Sequence, residues 1–324
     1  MSQAIFVDQP GDASVLTLRD HDPGAPGPGQ VRVAVEAAGV NFIDTYQRSG
    51  LYPRPTPFVL GLEGAGKIEA VGEGVSEWRV GQHVAWATVA GSYADRVVFK
   101  PDQLVAVPEG VSSELAAALM LQGMTAHVLA TAVHRTAPGE TVLVHAAAGG
   151  TGQLLVQELK RAGARVIGTC SSAKAELARQ AGADHVIDYN REDVAAEVKR
   201  ANGGRGVDVV YDSVGKTTFD ASLASLRPRG LLVLFGQSSG PVPPVDPQRL
   251  AQHGSLFFTR PTLFHYIATR TELDAHAGAV FTAAAQGKLR ANIAGRYPLR
   301  EAKQAHLDLE GRRTAGKLLL IPGS

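Results

Sequence analysis

The segment HAAAGGTGQLLVQELK, residues 145–160, joins an aliphatic run, TVLVH, to a stretch of helical periodicity. Its small side chains and its glycines, Gly149, Gly150 and Gly152 with Thr151 among them, let backbone come close to a pyrophosphate. A helix starting there adds free N–H groups and the positive end of its dipole. The spacing reads AxxGGxG, not GxGxxG, and a glycine turn alone is weak evidence. Its place between a strand and a helix, in a run of similar units, makes it a candidate phosphate cradle. The next aliphatic run, RVIGTC, ends in SSAK. A site for an unphosphorylated dinucleotide normally places Asp or Glu at this point, against the ribose 2′-hydroxyl. No carboxylate stands here, and Ser171, Ser172 and Lys174 are suited to bind or neutralise a 2′-phosphate.

A second concentration of polar and aromatic residues is AAGVNFIDTYQRSGLY, residues 37–52, with Asn41, Asp44, Tyr46 and Tyr52. A conjugated carbonyl compound that accepts hydride needs a flat apolar slot and donors for the oxygen that gains charge. Asn41 and the tyrosines offer both, although the same residue types near turns also satisfy backbone groups. Asp44, Glu63 and His83 are three possible metal ligands. With Cys170 as the sole cysteine there is no thiolate set to join them, and no metal is expected.

These residues need a scaffold, and the pattern of the chain supplies one. Up to about residue 120 short β-like runs (AIFV, VRVAVEAAGV, GKIEAVG, HVAWA, YADRVVF) alternate with Gly and Pro, predicting a β-rich, partly antiparallel module. PGAPGPG at 23–29 reads as a loop within it. Beyond residue 120, TVLVH, RVIGTC, HVIDY, VDVVYDS and LLVLFG alternate with helical stretches such as QLLVQELKRAG and AELARQAG. That order predicts right-handed crossovers and a doubly wound parallel sheet, with SLFFTR as a sixth strand. After Pro261 a long helix is expected to about Lys288, then a helix through EAKQAHLDLEG and a final strand KLLLI, the tail packing back on the first module.

Thirty-two basic residues oppose thirty-one acidic ones, a net charge of +1, so no global field draws nucleic acid or an anionic membrane. An aromatic and basic platform for nucleic acid is also missing. A single cysteine rules out an internal disulfide framework. The N-terminal MSQAIFVDQPGD has no basic leader, and the expectation is a cytoplasmic protein without a membrane partner.

Six motifs occur in order over nearly the whole chain: AAGVNFIDTYQRSGLYP (37–53), GLEGAGKIEAVGEGV (61–75), HAAAGGTGQ (145–153), VVYDSVG (209–215), LFGQSSG (234–240) and FFTRP (257–261). Together they resemble the NADPH:quinone oxidoreductases, the zeta-crystallin-like, zinc-free branch of the medium-chain dehydrogenase superfamily. The resemblance implies an α/β protein with a discontinuous GroES-like catalytic domain, residues 1–121 and 264–324. A Rossmann NADPH-binding domain, residues 122–263, would interrupt it, with a cleft between the two and a homodimer as the assembly. Asn41 and Tyr46 would face nicotinamide and substrate, with Tyr52 as a further candidate. Gly149, Gly150, Thr151 and Gly152 would hold pyrophosphate. Ser171, Lys174, Tyr189 and Arg312 would meet the 2′-phosphate and adenosine, and Thr125, Ser213, Phe235, Gly236, Ser238 and Arg260 the rest of the cofactor. The implied reaction is reduction of a quinone or an α,β-unsaturated carbonyl compound by NADPH, with no residue placed as general acid. The alternatives are an enone or enoyl-thioester reductase and a non-catalytic NADPH-binding protein.

Overall fold

Alternate burial along short runs produces the strands of the first part of the chain, as along residues 31–40, where Val31, Val33 and Val35 face inward. In the computed structural model, which describes residues 2–323, these strands are β1 (Gln3–Val7), β2 (Leu16–Asp20), β3 (Val31–Val40), β4 (Phe58–Val59), β5 (Gly64–Val71), β6 (His83–Trp86), β7 (Arg96–Phe99) and β8 (Val105–Ala106). The short helix α1 (Phe42–Arg48) follows β3, and α2 (Ser113–Val128) follows β8. Next come β9 (Thr141–Val144), α3 (Gly150–Arg161), β10 (Arg165–Cys170), α4 (Ala175–Gln180), β11 (His185–Asp188), α5 (Val194–Ala201), β12 (Val207–Asp212), α6 (Phe219–Ser225), β13 (Leu226–Leu234), α7 (Gln248–Gln252) and β14 (Phe257–Thr259). The tail holds α8 (Arg270–Ala285), β15 (Ile293–Pro298), α9 (Ala302–Glu310) and β16 (Lys317–Ile321).

The chain divides into two compact units, Met1–Met124 with Ile267–Ser324, and Thr125–Tyr266. In the first, a sheet of order β15-β16-β3-β5-β6-β8, with β7 also on β3, lies beside the three-stranded sheet β2-β1-β4. Its core gathers Val33, Ile68, Trp86, Tyr93 and Leu318. Strand β16 pairs antiparallel with β3, setting Leu318 opposite Val40 and Leu320 opposite Ala38. That register brings the start of the last strand to the end of β3, where the Asn41 motif begins.

The second unit is one six-stranded sheet, order β11-β10-β9-β12-β13-β14, every pair parallel. Leu143, Ile167, Ile187, Val210 and Leu232 are buried in it. Strands covered on both faces need aliphatic side chains at every position, which is why they read as unbroken runs. The chain steps outward from β9 to β11, then returns to β12 on the other side of β9. Such a reversal opens a crevice beyond the carboxyl ends of the two central strands.

Two element boundaries differ from the sequence reading. Strand β13 begins at Leu226, before the LLVLFG run. The helix expected straight after Pro261 begins only at Arg270, after a single 3-10 turn at Leu263–His265. Its start is set by a capping box: Glu272 N donates to Thr269 Oγ1 at 3.3 Å, and Thr269 N donates to Glu272 Oε2 at 3.0 Å. The apolar stretch Ser113–Val133 is long enough to cross a membrane, but 67% of its apolar window is buried within the protein, as in the core helix of a globular unit.

Thr269→Ala removes the cap and is expected to cost about 1 kcal/mol, lowering the unfolding temperature by about 2–4 °C in calorimetry. An unchanged transition would show that the cap contributes nothing.

Candidate functional site

Because the second unit's strands are parallel, their carboxyl ends lie along one edge, and each is followed by residues singled out in the sequence. Gly149, Gly150, Thr151 and Gly152 follow β9; Ser171 and Lys174 follow β10; Tyr189 follows β11. Ser213 follows β12, Phe235, Gly236 and Ser238 follow β13, and Arg260 follows β14. Thr125, on α2, is half-buried. Helix α3 starts at Gly150 with Gly149 as its N-cap and no capping side chain. Its first-turn N–H groups have no intrahelical acceptor. At Gly152 a β-carbon would stand 2.2 Å from Ala146 O, so only glycine lets the helix start this close to the strand-to-helix loop.

The region after β10 departs from the sequence reading in one respect. Ser172 was a candidate phosphate donor, but its hydroxyl is given to Asp188 Oδ2. That carboxylate comes from the neighbouring strand, in register with Cys170. Hydrogen bonds from Ser172 and from Asn190 N hold Asp188 below the usual carboxylate range. Ser171 is half-buried at the start of the turn, and Lys174, also half-buried, lies at its end.

In the first unit a buried polar pocket forms where four segments meet. Lys317, at the start of β16, is 1% exposed, and Glu63, just before β5, is wholly buried. The Lys317 ammonium donates to Glu63 Oε2 and, at 2.9 Å, to Asn41 Oδ1. Asn41 Nδ2 donates to Glu63 Oε2 at 2.8 Å, and Gln122 Nε2 reaches Asn41 Oδ1 at 3.1 Å. The second carboxylate oxygen of Glu63 accepts from Leu121 N. Two donors on one amide atom and a carboxylate on the other fix which way the Asn41 amide points.

A directed chain of hydrogen bonds starts beside this pocket. Asn41 N donates to Asp44 Oδ2 at 2.8 Å, and the Tyr93 hydroxyl donates to the same oxygen at 3.0 Å. His306 Nε2 lies 3.2 Å from the Tyr93 oxygen, and Arg48 Nη1 lies 3.0 Å from His306 Nδ1. Arginine only donates, so Nδ1 accepts, the ring is neutral and its proton sits on Nε2, directed at Tyr93. Arg48 also binds both Glu310 oxygens, at 2.8 and 3.1 Å. Burial, with the Arg48 charge beside it, drops the His306 pKa to about 3. Burial pushes Asp44 up to about 7 against the pull of Asn41 N–H, Tyr93 and Lys317. Its Oδ1 has no partner in the protein.

After Asn41 in the chain, half-buried aromatic rings cluster together. Tyr46 and Tyr52 pack edge to face with centroids 5.3 Å apart, and Phe42 lies 6.3 Å from Tyr46. Arg312 is exposed after α9, with φ of 54°. The possible ligands Asp44, Glu63 and His83 do not converge. His83 Nε2 lies 2.6 Å from Ser113 Oγ, whose proton goes to Glu36, while Asp44 and Glu63 belong to the two networks above. Among the described residues no group of three or more His, Cys, Asp or Glu could hold a metal ion. Sequence reasoning passed over Lys317, Gln122, Tyr93 and His306. The available signal was Glu63 in GLEGAG, a charge set among glycines and apolar residues where solvent access is poor.

Comparison with known proteins gives the following matches. A family model described as zinc-binding dehydrogenase matches residues 150–274, and one for the alcohol dehydrogenase GroES-like domain matches residues 27–109. The quinone oxidoreductase of Pseudomonas aeruginosa is 48% identical over 315 residues, 96% of this chain and 97% of its own. The 2-haloacrylate reductase of a Burkholderia species is 42% identical over 99% of each chain. The Escherichia coli quinone oxidoreductase complexed with NADPH superposes with a TM-score of 0.96 at 42% identity, covering 99% of this chain and 100% of that one.

The two shifted groups act on stability with opposite sign. As pH rises from 3.8 to about 7 the unfolded chain releases the Asp44 proton that the folded chain retains, so this group's contribution to stability falls. As pH falls from 6.5 toward about 3 the unfolded chain protonates His306 while the folded chain does not, and stability is again lost. Relative to the native chain, Asp44→Asn is therefore expected to gain stability with rising pH and His306→Gln with falling pH across this window. Urea unfolding at a series of pH values reads both slopes, and variant curves parallel to the native one would refute the shifts.

Proposed function

Because the chain belongs to the quinone oxidoreductase family of the medium-chain dehydrogenase superfamily, we propose that it reduces quinones or related α,β-unsaturated carbonyl compounds with NADPH, by zinc-independent hydride or electron transfer. The observation that carries this reading is the alignment of candidates from six separate segments along the carboxyl edge of the parallel sheet. An uncapped helix start at Gly149 and Gly150, packed tightly through Gly152, fits a pyrophosphate. Ser171, Lys174, Tyr189 and Arg312 are the proposed contacts of the 2′-phosphate and adenosine. Thr125, Ser213, Phe235, Gly236, Ser238 and Arg260 are proposed for the remainder of the cofactor, with residues 122–263 as its binding domain.

Bound NADPH supplies the reducing equivalents. The chain's own part is to orient the reactants and exclude water. Tyr46 and Tyr52 offer an aromatic face to a planar acceptor, and Asn41 is held in one orientation by Lys317, Glu63 and Gln122. Zinc, which one family description implies, does not fit the first unit: the buried oxygen ligands there already surround an ammonium group. The reading extends to a cytoplasmic homodimer acting on small molecules, without nucleic acid or membrane, supported by the balanced charge and the burial of the long apolar helix Ser113–Val133. A second reading, reduction of an activated carbon–carbon double bond, is favoured by the identity to a 2-haloacrylate reductase.

Steady-state assays of quinones, alkenals, haloacrylate and enoyl-CoA with NADPH and NADH separate the two readings, and NADPH binding without turnover of any acceptor would overturn both. Lys174→Glu replaces attraction of the 2′-phosphate with repulsion. Loss of one charge-assisted bond of about 1.5–3 kcal/mol corresponds to about 10- to 100-fold weaker NADPH binding. NADH binding should change far less by calorimetry, and equal losses would remove the phosphate role.

A further inference from the structure

The polar pocket of the first unit is built as a cation site. Glu63 supplies a buried carboxylate and Asn41 an amide oxygen, both on the Lys317 ammonium. Gln122 adjoins them, with its Oε1 buried and without a partner. Carboxylate and amide oxygens are the ligands of a hard cation. The backbone makes room for this arrangement: a β-carbon on Gly39 would stand 2.0 Å from Glu63 Oε2 and 2.7 Å from Lys317 Cε. A buried ion pair is a poor route to stability, since apolar residues of similar volume commonly do as well or better. The pair therefore needs a reason beyond holding β16 in the sheet.

We propose that the Lys317 ammonium is the resident cation of this pocket, supplied by the chain in place of a metal ion, and that it neutralises Glu63, locks the Asn41 amide and bars metal from the site. An arriving divalent ion would have to displace an ammonium tethered by its own backbone. Without the ammonium, Glu63 is a buried uncompensated charge and the pocket takes up a cation from solution. The inference deepens the zinc-independent reading and rests on it only for its connection to turnover. Its test reads stability without cofactor or acceptor, so a failed acceptor panel leaves it standing, and its own failure leaves quinone reduction standing.

The experiment compares the full-length native chain with Lys317→Ala, Lys317→Met and Lys317→Met/Glu63→Gln by thermal unfolding. Propylammonium chloride is the probe, because propylammonium is what Lys317→Ala removes beyond Cβ; tetramethylammonium chloride controls for ionic strength. Both single variants are expected to unfold at lower temperature, and the added Glu63→Gln to recover most of the loss in the Met background. Propylammonium is expected to raise the transition of Lys317→Ala well above its value in tetramethylammonium, with no such difference for the native chain or the double variant. Rescue by both salts alike, or a double variant no more stable than Lys317→Met, would overturn the proposal. Should Lys317→Ala not fold, the comparison of the Met variant with the double variant decides.

Discussion

A carboxylate removed from water costs several kcal/mol unless protein donors replace its hydration, and Glu63 imposes that condition on three other segments of the chain. Its oxygens take donors from Asn41 at the end of β3, from Leu121 in α2 and from Lys317 at the start of β16. No stretch of the chain satisfies the charge alone. The last strand must return and pair with β3, in the register that sets Leu318 opposite Val40, before the ammonium reaches its partner. Within the first unit, the return of the last strand is thus tied to a single buried charge. Asp44, one turn into α1, extends the same economy: it is held by Asn41 N and Tyr93, and Tyr93 in turn by His306.

The second unit meets a different constraint. Parallel strands leave their carboxyl ends together, and the loops that leave them need small residues where a helix must start at once. Gly152 answers that need against Ala146 O. Asp212 answers another, accepting from Val214 N at 2.8 Å and Gly215 N at 3.0 Å and so bracing the loop that carries Ser213. Its other oxygen holds Ser222 Oγ, which also contacts His145, at the mouth of the glycine turn. The loops along this edge are braced from beneath by buried side chains.

How far the sequence foretold this depended on the range of the interactions involved. The strands of the second unit were legible because burial on both faces leaves uniform aliphatic runs, and the glycine turn because its geometry is local. The start of α8 was misplaced because the Thr269 and Glu272 cap lies several residues inside a stretch of otherwise favourable composition. The binding of Ser172 to Asp188 was hidden because it depends on which strands are neighbours, not on spacing along the chain. Lys317 drew no notice as the first residue of the strand KLLLI, since its partner lies 254 positions away and nothing local marks it. His306, 213 positions from Tyr93, was invisible for the same reason.

The two arrangements together bear on which acceptors suit the proposed chemistry. A metal ion polarises a carbonyl directly and makes even a weakly electrophilic one reactive. In the first unit the positive charge is a buried ammonium bonded to Asn41 and already shared with Glu63. Asn41 is itself buried, with its amide oxygen on Lys317 and Gln122 and its amide nitrogen on Glu63, so in the proposed role it would offer only the dipole of an oriented amide, a weaker influence than a bare cation. Phe42, Tyr46 and Tyr52 add a cluster of aromatic rings but no charge. Such surroundings favour an acceptor that brings its own activation, with electron density able to spread over a conjugated ring or enone as it is reduced. On this argument the buried lysine and the proposed preference for quinones or unsaturated carbonyl compounds would have one cause: a site that aligns an electrophile without having to create one.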